Sequence, residues 1–111
     1  MNYTYKRVWG PLFWSCIHTT CLGYPEIPDE QVKHNYELFF ISFGNIIPCL
    51  LCRPHYIDFL QKYPIRNYLD NRNKLFEWSV LLHNSVNLLL NNDIWTIEEA
   101  LKQWGQKINY S

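Results

Sequence analysis

Apolar residues recur along the chain at intervals of three and four, the spacing that puts them on one face of an α-helix. Val32, Tyr36, Phe39, Phe40 and Phe43 keep this period in a helix expected from Asp29, its cap, to about Ile46. Tyr56, Phe59, Leu60 and Tyr63 form the stripe of a helix expected from about Pro48 to Tyr63, ahead of Pro64. His83, Val86, Asn87 and Leu90 line one face of a helix from about Arg72 to Leu90, with Asn71 as its cap. An earlier helix is bracketed by Gly10-Pro11 and Gly23-Tyr24-Pro25 and carries Trp14, His18 and Cys21 on one side. Thr96-Ile97-Glu98-Glu99 has the capping-box pattern and opens a short fifth helix to about Trp104. Nothing alternates at period two, so the expected fold is all-α.

Two stretches are at odds with plain packing. Pro54 falls inside the third helix, where it should kink the helix or shift its start. In the fourth, His83-Asn84-Ser85-Val86-Asn87 puts polar residues into an apolar helix although asparagine is a poor helix former. A buried polar stripe needs hydrogen-bond partners, from other helices or from a ligand. The company of aromatic rings and thiols favours a ligand.

At 111 residues the chain is long enough for one core, so one domain, 1–111, is expected. Net charge is +0 with the basic residues scattered, which argues against nucleic acid and against a membrane surface as partner. The opening MNYTYKRV lacks the apolar stretch of a signal peptide, and no apolar run reaches membrane-spanning length. That leaves the compartment open between cytoplasm and, for a viral protein, the virion. Aromatic residues make up 17% of the chain, five of them Trp, and several stand beside polar residues, which suits stacking on a planar ligand.

Cysteine chemistry sharpens the picture. Cys49 and Cys52 sit three apart behind Pro48, where a helix start would favour a thiolate. Such a pair suits a reactive disulfide, and equally zinc, with His55 and either His18 or His83 completing four ligands. No second close ligand pair follows, as closed zinc sites usually require. A thioredoxin-like reading lacks its strand, and a helical interaction domain with an inert pair leaves the His and Asn stripe unexplained. Cys16 and Cys21 stand about 140° apart on the first helix and are expected as buried free thiols.

Trp9-Gly10-Pro11-Leu12-Phe13-Trp14 with His18, then Cys49-Leu50-Leu51-Cys52-Arg53-Pro54-His55-Tyr56, then His83-Asn84-Ser85-Val86-Asn87 follow one another at set separations. In that order they resemble the Erv/ALR family of FAD-linked sulfhydryl oxidases, from about Lys6 to Trp104. The resemblance implies a four-helix bundle with a short fifth helix and FAD at the bundle mouth. It implies a thiol oxidase that forms disulfides in a thiol-containing protein or a small dithiol and passes electrons to molecular oxygen, giving hydrogen peroxide. By position it makes Cys49 the interchange thiol and Cys52 the flavin-proximal one. FAD contacts would come from Lys6, Arg7, Trp9, Gly10, Trp14, His18, His55, His83, Asn84, Val86, Asn87 and Trp104, with no metal. A homodimer through the first two helices is implied as well. The chain lacks the second cysteine pair that serves relatives as a shuttle, and the pair that staples their third and fourth helices. Forms of this kind are similar to those of large DNA viruses.

Overall fold

The computed structural model describes residues 3–105, with side chains from Val8 onward. Five helices follow in order: α1 (Tyr3–Leu22), α2 (Glu30–Phe43), α3 (Cys52–Lys62), α4 (Arg72–Leu89) and α5 (Ile97–Ala100). A 3₁₀ turn, Ile65–Tyr68, joins α3 to α4, and a π turn, Leu101–Gly105, continues α5. Among the described residues there is no strand. None of their helices is long and apolar enough to cross a membrane.

Three starts follow directly from side-chain chemistry. Asp29 Oδ1 accepts from Val32 N at 2.8 Å, and Asn71 Oδ1 accepts from Lys74 N at 2.9 Å. Thr96 and Glu99 bond each other's backbone at 3.1 and 2.9 Å, closing the capping box. Each side chain supplies an acceptor for an N–H that the first turn leaves without one.

Two starts differ from expectation, and both turn on proline. α1 begins at Tyr3 and runs through Pro11 rather than starting there. A proline removes one intrahelical bond, but the Trp9 and Phe13 rings meet across it, centroids 5.3 Å apart, and tie the turns on either side together. α3 begins at Cys52, not near Pro48, so Pro54 falls in the first turn, where its missing N–H costs nothing. Cys49 consequently lies in the turn before the helix. α2 stops at Phe43, short of Ile46, and Gly44 beyond it lets the Tyr56 ring pass close by: a Cβ there would stand 2.7 Å from the ring.

α1 and α4 pack antiparallel as the central pair, α3 lies against α4, and the π turn covers α1. Phe40, Leu69, Leu75 and Trp78 are fully buried. Polar tips in this core end on backbone carbonyls: Tyr24 Oη on Leu69 O at 2.8 Å, Tyr56 Oη on Phe40 O at 2.6 Å, Trp78 Nε1 on Tyr63 O at 3.0 Å. Arg72 Nε donates to Tyr24 O at 2.6 Å, and Arg66 pairs with Glu30 at 2.6 Å. These contacts hold the α3–α4 connection without a disulfide.

Candidate functional site

The middle of α1, the second half of α4, the loop before α3 with the first turns of α3, and the π turn surround a cavity of about 910 Å³. Ten of the residues named from sequence line it: Trp9, Gly10, Trp14, Cys49, Cys52, His55, His83, Val86, Asn87 and Trp104. Antiparallel packing brings them together, since α1 and α4 reach this end from opposite directions. A Cβ on Gly10 would meet nothing within 4 Å.

Cys49 and Cys52 are joined as a disulfide, Cα atoms 5.2 Å apart, with both residues half-buried. Cys52 N–H reaches Cys49 Sγ at 3.2 Å and Cys49 O at 3.1 Å. The helix terminus thus directs an N–H at Cys49, while Cys52 itself occupies the positive end of the dipole. A thiolate on either sulfur would be stabilised, by two different means.

The same cavity has an aromatic wall. Trp14 and His83 stack with centroids 3.9 Å apart and planes 9° from parallel. His18 lies 4.0 Å from Trp104, which in turn touches Trp95 at 5.0 Å. His18 is wholly buried and lies behind the lining rather than in it. Its Nδ1 meets Ser79 Oγ at 2.9 Å and its Nε2 meets His83 Nδ1 at 2.9 Å.

Hydrogen-bond directions fix this chain. Ser79 Oγ donates to Phe76 O at 2.6 Å, so its proton is committed and it must accept from His18 Nδ1–H. The neutral His18 then has Nε2 as an acceptor, and His83 donates its Nδ1–H inward. His83 keeps a bare Nε2, the one acceptor this ring can offer a ligand. Burial, with His83 close by, lowers the His18 pKa to about 3, and burial lowers that of His83 to about 4, so both rings are neutral near pH 7. Burial likewise pushes the Cys21 thiol, wholly buried, well above the ordinary range. The expectation that His83 depends on a ligand for partners is therefore corrected: His18 supplies one.

The two asparagines of the stripe separate. Asn84 does not line the cavity; it bonds Trp95 twice, Nδ2 to O and Oδ1 from N, each at 2.8 Å, and holds the strap leading to α5. Asn87 is 93% buried in the cavity wall, and its amide makes no hydrogen bond among the described residues. His55 lines the cavity through a ring held by Ser85 Oγ at 3.3 Å. The side chains of Lys6 and Arg7 lie outside the described residues. Cys16 is exposed, against expectation, because it faces away from the α4 contact; Cys21 is buried, and both are free.

The lining also holds residues that sequence reading passed over, notably Phe13, Phe43, Tyr56 and Gln103. Phe43 and Tyr56 fell on helical stripes that read as packing, Phe13 stood only within the first motif, and Gln103 carried no signal at all. The zinc alternative gains no support: Cys49 and Cys52 are bonded to each other, and no trio of His, Cys, Asp or Glu converges among the described residues.

Comparison with known proteins is consistent across sequence and structure. Residues 11–105 match the model described as the Erv1 / Alr family. An Acanthamoeba polyphaga mimivirus protein named "Probable FAD-linked sulfhydryl oxidase" is 38% identical over 95 residues, which are 85% of this chain and 66% of that one. An African swine fever virus protein (isolate Pig/Kenya/KEN-50/1950) named "FAD-linked sulfhydryl oxidase" is 30% identical over 100 residues, 90% of this chain and 82% of that one. The chain spans only half the length of a yeast relative of the same name, which is 25% identical. The crystal structure of the FAD binding domain of Erv1 from Saccharomyces cerevisiae superposes with TM-score 0.80 at 25% identity, covering 86% of this chain and 89% of that one.

Proposed function

The chain belongs to the Erv1 / Alr family, and on that premise we propose that it is an FAD-linked sulfhydryl oxidase that makes disulfides in dithiol substrates, with molecular oxygen as final acceptor and hydrogen peroxide as product. One observation carries the reading: the Cys49–Cys52 disulfide is part of the wall of a cavity lined by indole and imidazole rings. The residues fit FAD. The volume lies at the upper end of cofactor sites, about 300–1,000 Å³. Trp14, His83 and Trp104 offer flat surfaces, and the Asn87 amide and His83 Nε2 offer polar contacts still open. Trp9, Gly10, His55 and Val86 complete the proposed contacts. Lys6 and Arg7 are proposed from the same helix, His18 acts through His83, and Asn84 acts through Trp95.

The protein's own steps follow from the disulfide. A substrate thiolate attacks Cys49 Sγ, and Cys52 leaves as a thiolate held by the start of α3. The second substrate thiol attacks the mixed disulfide, and Cys49 leaves as a thiolate accepting the Cys52 N–H. The substrate is then oxidised by two electrons and both cysteines are reduced. Bound FAD would supply the two-electron acceptor that restores the disulfide and connects it to oxygen. The neutral histidines keep protons and charge out of the wall meanwhile.

A second copy of the chain is the proposed partner through α1 and α2, supported by Val8 and Leu12 on the first and Leu38 and Ile41 on the second, all exposed. The test of the activity is direct. Purified protein should be yellow, contain FAD, and consume one oxygen per dithiol oxidised while releasing peroxide. A colourless, zinc-containing protein would sink the reading.

A further inference from the structure

The two segments that carry the disulfide and the end of α4 hold no charged side chain. No Asp, Glu, Lys or Arg occurs between Glu37 and Arg53, or between Glu77 and Asp93. These two segments include the Cys49–Cys52 loop and the end of α4, which meet at the cavity rim. Arg53, the nearest cation in sequence, is turned back: its Nε donates to Ile47 O at 2.9 Å. In place of charge stand leucines. Leu50 is 75% exposed and Leu51 90% exposed, directly between the two cysteines. Leu51, Leu89 and Leu90 share the cavity rim with the disulfide, and Leu89 is 65% exposed. Scattered surface leucines need no explanation, but a group of them beside the reacting sulfur does.

We infer that Leu50 and Leu51 form a docking surface for a polypeptide segment with apolar residues next to its cysteines. This rests on the oxidase reading and names its substrate class. Leu50 and Leu51 are exposed directly between the two cysteines, so a thiolate that reaches Cys49 Sγ past them brings its flanking residues against this edge. Acidic or basic flanks find no partner there, whereas leucine-like flanks remove exposed apolar surface from water. In folded proteins cysteine and its apolar neighbours are mostly buried. Segments of this kind are therefore exposed chiefly in chains that have not finished folding, and the disulfide would meet them directly. The exchange is as written above: the substrate loses two electrons and two thiol protons, and the Cys49–Cys52 bond breaks as the substrate S–S bond forms.

The test uses FAD-loaded protein, oxygen uptake, and two unfolded dithiol peptides of equal length, one with Leu and one with Gln beside its cysteines. Dithiothreitol serves as the small substrate. The Leu-flanked peptide should have a kcat/KM about tenfold higher, the effect of burying one leucine-sized surface in the rate-determining encounter. Leu50→Gln should bring the ratio toward one while leaving dithiothreitol turnover within about twofold, since Leu50 lies outside the cavity lining. Equal rates for the two peptides would overturn the inference, as would a preference that survives both Leu50→Gln and Leu51→Gln. A fall in molecular mass of Leu50→Gln in light scattering would overturn it in favour of a second copy covering these leucines. Failure to oxidise dithiothreitol at all would overturn the oxidase reading, and the docking surface with it.

Discussion

The two ends of the α1–α4 pair are built to different rules. At one end Tyr24, Phe40, Leu69, Leu75 and Trp78 are completely buried, and the polar tips of Tyr24 and Trp78 end on a protein carbonyl. At the other, rings of the same kinds stand around a cavity, the Asn87 side-chain amide has no hydrogen bond among the described residues, and a disulfide is half-buried in the wall. The first end is complete in itself. The second leaves an aromatic wall and an amide that reaches the open cavity with no partner from the protein, groups that a bound ligand would cover and pair. Both rest on the same two helices, so the difference is one of side chains and not of backbone.

The largest effect should separate the ends by function. Cys49→Ser or Cys52→Ser should abolish dithiol-driven oxygen uptake, by a factor of about 10³ or more, while bound FAD is kept. Residual turnover near the wild-type rate in either variant, measured with an oxygen electrode, would mean another thiol does the exchange. Trp78→Ala should do the reverse. It removes the largest fully buried side chain of the closed end and its bond to Tyr63 O, at a cost of about 3–5 kcal/mol in denaturant unfolding.

How these ends read from sequence differed as well. Asp29, Asn71 and the Thr96–Glu99 box were legible because a cap acts within its own turn, so the sequence holds all its parts. The starts of α1 and α3 were misplaced because proline marks a preferred helix position without saying which side of it the helix occupies. The Trp9–Phe13 contact decides that at Pro11. At the site, the helical period put His83 and Asn87 on one face correctly. It could not show that His18 and Ser79, far apart in sequence, would satisfy His83 and leave Asn87 open. Asn84 looked like a site residue because it shares the motif, yet its partner is Trp95 on a segment whose path no period encodes.

The buried histidines give the comparison a pH signature. Unfolded, each takes a proton near pH 6.5; folded, His18 resists down to about pH 3 and His83 down to about pH 4. Between those limits the unfolded chain binds more protons, so stability rises with pH across the window and is fully present above about 6.5. Falling pH should cost about 1.4 kcal/mol per unit for each histidine that titrates in this way. His18 faces Trp14, Phe76, Ser79, His83 and Trp104, with no carboxylate among its hydrogen-bond partners to offset the cost. Melting of FAD-free protein should therefore drop steadily between pH 6.5 and 4. A flat profile over that range would mean the rings are solvated.

The smallest effects are the most discriminating, because they compare two asparagines three positions apart on α4. Asn84→Ala loses two bonds to Trp95 and should lower stability by about 1–3 kcal/mol with or without FAD. Asn87→Leu should behave oppositely, since no partner within the protein is lost. Thermal unfolding of wild type and Asn87→Leu, each without FAD and with saturating FAD, puts this to the test. The expected result is an FAD-free variant at least as stable as wild type, with a much smaller rise in melting temperature on adding FAD. Equal losses for Asn87→Leu in both conditions would contradict it, and would make the cavity end as self-contained as the other.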